Sequence, residues 1–244
     1  MQHKDDSSLR TINNVEYIMF VKFGSKKNLQ SLQQGKIYMK NALYYRKLEE
    51  ESQQRGQGDA NEGTTIMFDV PIWINGKRLP NATIMRGSNN IDDVTPLFCC
   101  SCFKRKDFIL KEDGNYYIKE NLLDWSSIKE DFGDHALVIP YPQEFVSLVK
   151  KYCDAHNYDL RWKEIEYVDY SSENAHLKLY KNDLSHFFIK DSAFSYQKEF
   201  RLLLANCFTE EGKDHIEFQL EQTIENWTVL IPTEELKTTS FFFP

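Results

Sequence analysis

Between Glu16 and Phe23 the residues Tyr, Ile, Met, Phe and Val follow one another almost without a break, the pattern of a strand buried on both faces. Ser25 stands where a helix cap belongs, Lys26 to Gln34 reads as the helix, and Gly35 ends it. Lys36 to Lys40 alternates as a second strand, and Asn41 is placed to cap a helix running through Glu51. Ser52 to Thr64 then combines three glycines with charged and amide side chains and no apolar residue anchors it until Ile66, so it reads as a long, mobile polar loop. Beyond it, Thr65 to Ile74 and Lys77 to Met85 read as two strands joined at Asn75-Gly76, the dipeptide of a tight hairpin turn.

Leu97 to Phe103 reads as a further strand and Ala136 to Ile139 as a short one stopped by Pro140. Pro142 suits the first turn of a helix reaching about His156, whose Phe145, Val146, Leu148, Val149 and Tyr152 recur at helical spacing and mark a core face. Lys163 to Asp169 reads as a strand and Asn174 to Ser185 as a helix; Phe200 to Asn206, Ile216 to Leu220 and Trp227 to Ile231 read as strands. Helices and strands mix without regular alternation, which predicts an α+β fold around a mixed or antiparallel central sheet flanked by helices. The polar residues 1–14 read as a flexible tail, and 15–244 as one domain with no repeat or linker dividing it. At the other end, Phe241 to Phe243 would be a sticky surface in water, so the tail is expected to pack back onto the domain.

Composition narrows the function. The 244 residues are 41% hydrophobic, enough for a sizeable core, and a formal net charge of -7 disfavours a protein that coats nucleic acid or an anionic membrane. No apolar run approaches the roughly 20 residues needed to span a bilayer, and the start lacks the apolar core of a signal peptide, so a cytoplasmic location without a membrane partner is expected. Five cysteines are then reduced thiols; on a strand Cys100 and Cys102 share one face and Cys99 takes the other, and their spacing is not that of a metal site. The six histidines are scattered without an i, i+4 pair, and no phosphate-binding glycine motif occurs.

The most specific local signal is the charged run Tyr196 to Glu199 leading into the apolar Phe200 to Leu204. If that run is extended, Gln197 and Glu199 point to the same side and bring an amide and a carboxylate onto one substrate. A carboxylate at the mouth of an apolar strand can stabilise a developing positive charge or accept a hydroxyl. The competing reading is an ordinary strand end, with Glu199 paired to Arg201 or Lys198.

The order of features resembles a bacterial and phage family, domain-of-unknown-function family twenty-nine seventy-one. The resemblance rests on Lys22-Phe23, on Gly35-Lys36-Ile37-Tyr38-Met39 and on the acidic loop Gly58 to Gly63. It continues with Cys102-Phe103, with Trp125 and then Phe132-Gly133-Asp134-His135, and with Glu199 and Arg201. The chain departs from the pattern at Gln197, where a second carboxylate is usual, and at Gly58-Asp59-Ala60. The layout is also similar to ADP-ribosyltransferases, in which a Gln-x-Glu motif opens a late core strand, as Gln197-Lys198-Glu199 does here. That likeness implies NAD as substrate and makes Glu199 the residue that bonds the nicotinamide ribose and steadies the oxocarbenium ion. Gln197 would orient the acceptor, Lys22 would lie towards the adenosine side, and Tyr38, Tyr44 or Tyr45 would stack on nicotinamide.

The expectation is therefore an ADP-ribosyltransferase-like or NAD-cleaving enzyme of bacterial or phage conflict, acting on a macromolecular acceptor. A non-catalytic protein that occupies a host or phage protein is the alternative, with Glu199 structural. A Mg-dependent nuclease is a second alternative, in which Asp59 and Glu62 join Glu199 as three carboxylates. Otherwise Asp59 and Glu62 belong to a lid or a solvated loop.

Overall fold

The computed structural model describes residues 9–52, 56–170 and 184–242. Eight strands build one antiparallel sheet: β1 (Met19–Gly24), β2 (Lys36–Asn41), β3 (Pro96–Phe103), β4 (His135–Ile139), β5 (Leu160–Glu164), β6 (Glu199–Leu204), β7 (His215–Gln219) and β8 (Val229–Pro232). Its order is β5-β6-β3-β1-β4-β8, with β2 and β7 attached to β3 as a branch. The antiparallel arm of the expected fold class is the one realised.

Alternation along the strands decides what covers each face. Phe20, Phe98, Cys100, Cys102, Leu137 and Phe200 point to one side, where they pack against α1 (Lys26–Gln33) and the Phe145, Val146 and Val149 face of the long helix Pro142–Ala155. Met19, Val21, Phe103, Ala136 and Val138 point to the other, under Ile128 of a helix at Trp125–Phe132. A third cluster on that side joins Leu97 and Leu203 to Ala42 of α2 (Ala42–Ser52) and to Phe187. As alternation requires, Cys99 lies with this third cluster, opposite Cys100 and Cys102.

Caps and turns follow local chemistry. Ser25 accepts from Asn28 N–H at the start of α1, and the Asn41 side chain accepts from Tyr44 N–H at the start of α2. Residues 65–87 form a ribbon apart from the main sheet, Thr65–Val70 against Ala82–Gly87 and Trp73–Ile74 against Lys77–Arg78. It turns at Asn75 and Gly76, whose φ of 51° and 74° are the left-handed pair of a tight hairpin.

Residues 1–8 and 243–244 lie outside the described residues; of the rest, the expectation of a loose N-terminal tail is corrected and that of a packed C-terminal tail is met at Phe241. Thr11–Ile12 pairs with Val15–Glu16, turning at Asn13 and Asn14, and Ile12 is buried, so order begins before Val15. The reason is one apolar residue in a polar run that finds a place in the core. At the C-terminus Phe241 exchanges two backbone hydrogen bonds with Tyr116 and sets its ring edge-on to Phe108, while Phe242 stays exposed. Most of the expected helix Asn174 to Ser185 lies outside the described residues. Among the described residues no helix is long and apolar enough to cross a membrane.

Candidate functional site

The central sheet splits at β3. Its first residues pair with β2 (Lys40 with Leu97, Asn41 with Pro96) and its last with β1 (Val21 with Ser101 through Met19 with Phe103). Phe98, Cys99 and Cys100 lie between the two branches. Cys102 N–H bonds Lys198 on the β6 side, and antiparallel residues turn their polar groups to alternate edges, so Cys99 turns its N–H and C=O into the gap. Lys22 fills it: its ammonium donates to the Cys99 carbonyl at 2.6 Å and lies 5.0 Å from the Phe98 ring. Lys22 is thus on an interior strand between β3 and β4, not at a solvated edge.

Beside the gap lies a cavity of about 70 Å³, and five of the eight candidate residues line it: Lys22, Tyr45, Glu62, Gln197 and Glu199. Arg201, Lys190 and Cys99 also line it, with Gln57 and Ser101. Glu199 and Arg201 are two apart on β6 and leave the sheet on the same face, opposite Phe200 and Leu202.

Glu199 and Gln197 converge by a different route from the extended one expected. Gln197 ends a 3₁₀ turn, Ser192–Gln197, and Lys198 follows in the left-handed conformation at φ 48° before β6 starts at Glu199. The competition is between strand alternation and the Asp191 cap on that turn, and the cap wins. Both side chains still meet on Lys190, whose ammonium donates to Gln197 Oε1 at 3.0 Å and Glu199 Oε2 at 3.1 Å. The sequence signal for Lys190 is slight, a lone lysine directly after the apolar run Phe187-Phe188-Ile189.

Glu199 is saturated. Oε1 accepts from Arg201 Nε at 2.9 Å and Nη2 at 2.6 Å, Oε2 accepts from Lys190, and the Cys99 thiol also donates to the carboxylate. Burial works to raise its pKa, but Arg201 and Lys190 prevail and hold it far below the usual carboxylate range. Burial works to lower Lys190, yet Glu199, Asp59 and Glu62 keep its ammonium above its ordinary value. Desolvation, then the Glu199 charge, pushes the Cys99 thiol up to about 12, which leaves it a poor nucleophile. Desolvation likewise raises the Tyr45 phenol well above its ordinary value.

Residues 53–55 of the expected mobile loop lie outside the described residues, and residues 56–64 contradict the expectation. Asp59 and Glu62 are only 3% and 4% exposed. Glu62 bonds Arg201 through both oxygens, at 2.6 and 2.9 Å, and its own carbonyl accepts from Arg46. Gly56 O accepts from Gln197 Nε2 at 2.7 Å, Asp59 N–H bonds Tyr45 O at 3.1 Å, and Ala60 N–H bonds Glu49 at 2.6 Å. Apolar anchors are absent as read, but ionic and backbone anchors replace them, and the segment lies as a strap over the cavity.

Two tyrosines are corrected as pocket residues. On β2, Ile37 and Met39 take the core face, which turns Tyr38 outward to 43% exposure, stacked on His215 at 4.5 Å. Tyr44 lies edge-on to Tyr45 with the Lys40 ammonium 3.9 Å from its ring centre, outside the cavity lining. Asp59, Glu62 and Glu199 do gather, yet around Arg201 and Lys190. Among the described residues no group of three His, Cys, Asp or Glu side chains is arranged to hold a metal ion, so the nuclease reading has no geometric support. Comparison of the chain with protein families, with curated proteins and with solved structures finds no match.

Proposed function

We propose that the cavity at the sheet split is the substrate site of an NAD-cleaving or ADP-ribosyl-transferring enzyme. The observation that carries this reading is the meeting of Gln197, Glu199, Lys22 and Tyr45, drawn from three separate parts of the chain, on one cavity wall. A carboxylate held ionised by Arg201 and Lys190 cannot serve as an acid, but it suits the electrostatic task of facing an oxocarbenium ion. Gln197 supplies an amide beside it that can orient an acceptor. Two changes must accompany substrate entry. Glu199 must release one of its donors, and the cavity must grow, because an apolar cavity of roughly 150 Å³ takes no more than a benzene ring. The strap is the wall that can move without breaking the sheet.

Incubation of the pure protein with NAD, with cell extract as a source of acceptor, tests the reading by release of nicotinamide. Release that Glu199→Gln abolishes, at a temperature where both proteins are folded, is the expected result. Saturation of both Glu199 oxygens favours a second reading, a non-catalytic binding protein in which Glu199 is a structural ion-pair partner. Absence of nicotinamide release under all these conditions selects that one.

A further inference from the structure

The charge balance around the strap carries a consequence for regulation of the cavity. Three carboxylates, Asp59, Glu62 and Glu199, face two cations, Lys190 and Arg201, in a buried cluster. Two of the three carboxylates belong to the strap. Asp59 lies within electrostatic reach of both Lys190 and Arg201, and Glu62 occupies the outer edge of the Arg201 guanidinium in the bidentate geometry with which arginine takes carboxylate or phosphate. Withdraw the strap and one carboxylate is left against two cations, with the Lys22 ammonium as a third on the same cavity wall. The formal charge of the site, Lys22 included, goes from neutral with the strap seated to doubly positive with it withdrawn.

We propose that the strap is an internal anionic pseudo-ligand: Glu62 holds the place on Arg201 that a phosphate-bearing ligand takes when the strap is displaced. The proposal rests on the cavity being the ligand site and adds how that site is closed. A neutral ligand gains nothing by opening the strap, since it leaves two buried cations underpaired. A diphosphate replaces the lost carboxylates charge for charge, so the device selects for an anion before any other feature of the ligand is read. Gly56 gives the strap its close seat. Its φ is 136°, a conformation side chains rarely adopt, and a Cβ there would fall on the Asp131 carboxylate, so a larger residue strains the seat and pushes the strap and that side chain apart.

The probe is inorganic pyrophosphate, titrated calorimetrically at fixed ionic strength. Glu62→Gln removes the competing charge, and Gly56→Ala unseats the strap with every charge in place. Each is expected to tighten pyrophosphate binding about tenfold or more over the parent protein. A third readout needs no variant: pyrophosphate should accelerate hydrogen exchange of the 56–64 amides in the unaltered protein. Equal affinity in a folded variant and the parent overturns the proposal. So does slower or unchanged exchange at 56–64, and this last result decides if neither variant folds. None of these readouts requires turnover. Failure to release nicotinamide therefore sinks the enzymatic reading alone, while pyrophosphate indifference sinks the pseudo-ligand alone.

Discussion

The Lys22 ammonium donates to the Cys99 carbonyl at 2.6 Å across the point where β1 and β2 part company on β3. A side chain thus completes a ladder position that no neighbouring strand can reach. Replacing it by Met keeps the apolar stem and leaves the carbonyl without this donor, which should cost about 1–3 kcal/mol. Urea unfolding of Lys22→Met against the parent protein measures it. A loss under about 0.5 kcal/mol would mean that water serves the carbonyl equally well.

Glu199→Gln is expected to destabilise the fold as well as alter any activity. The amide can accept from only one oxygen, so either Arg201 or Lys190 loses its charged partner in a site with almost no solvent. Breaking one side of a buried pair costs about 3–5 kcal/mol, and the low end is expected because Glu62 still holds Arg201. A melting temperature equal to that of the parent protein would contradict this picture of the network.

What the chain revealed in advance depended on the range of the forces involved. Alternation placed Cys99 opposite Cys100 and Cys102 and put Arg201 on the Glu199 face, and Asn75-Gly76 announced its turn, because each rests on neighbours in sequence. The same alternation, applied to Ile37 and Met39, turns Tyr38 outward, against the stacking role that the resemblance implies. Glu62 and Arg201 are 139 positions apart, and nothing local distinguishes a carboxylate bound to a distant guanidinium from one bound to water. By composition alone the polar strap is therefore indistinguishable from a loose loop. Hydrophobic anchors leave a signature in composition, whereas ionic anchors look like solvated surface until the partner is in view.

Proteolysis follows the corrected reading. A protease of broad specificity should cut the hairpin tip at 73–78, where Trp73 and Ile74 are 61% and 55% exposed, before it cuts 56–64. Cleavage needs an exposed, adaptable backbone, and the tip pairs only with itself while the strap is fastened to α2, Gln197 and Arg201. Mass spectrometry of the first fragments gives the order. First cuts within 56–64 would show that the strap opens readily without ligand.

The strap also sets a pH dependence whose sign can be worked out. Burial raises the Asp59 and Glu62 carboxyls, against the pull of Lys190 on Asp59 and of Arg201 on Glu62. The native state therefore holds protons that the unfolded chain has released, and stability falls as the pH climbs from the unfolded carboxyl value of about 4 through the folded one. Glu199 acts the other way: its depressed pKa contributes stability that is complete above about pH 4.3 and is lost only in stronger acid. Above about pH 4.5 Glu199 is constant, and the raised strap carboxyls give up their remaining protons as the pH rises through the window above that value. Unfolding free energies for the parent protein and Glu62→Gln, measured across that window in the same buffers, cancel the histidines and surface groups that both share. The parent should lose stability with rising pH more steeply than the variant, because Glu62 no longer contributes and Asp59 loses a like-charged neighbour. Parallel curves would mean that both strap carboxyls are already ionised at pH 4.5 and that Arg201 and Lys190 outweigh burial.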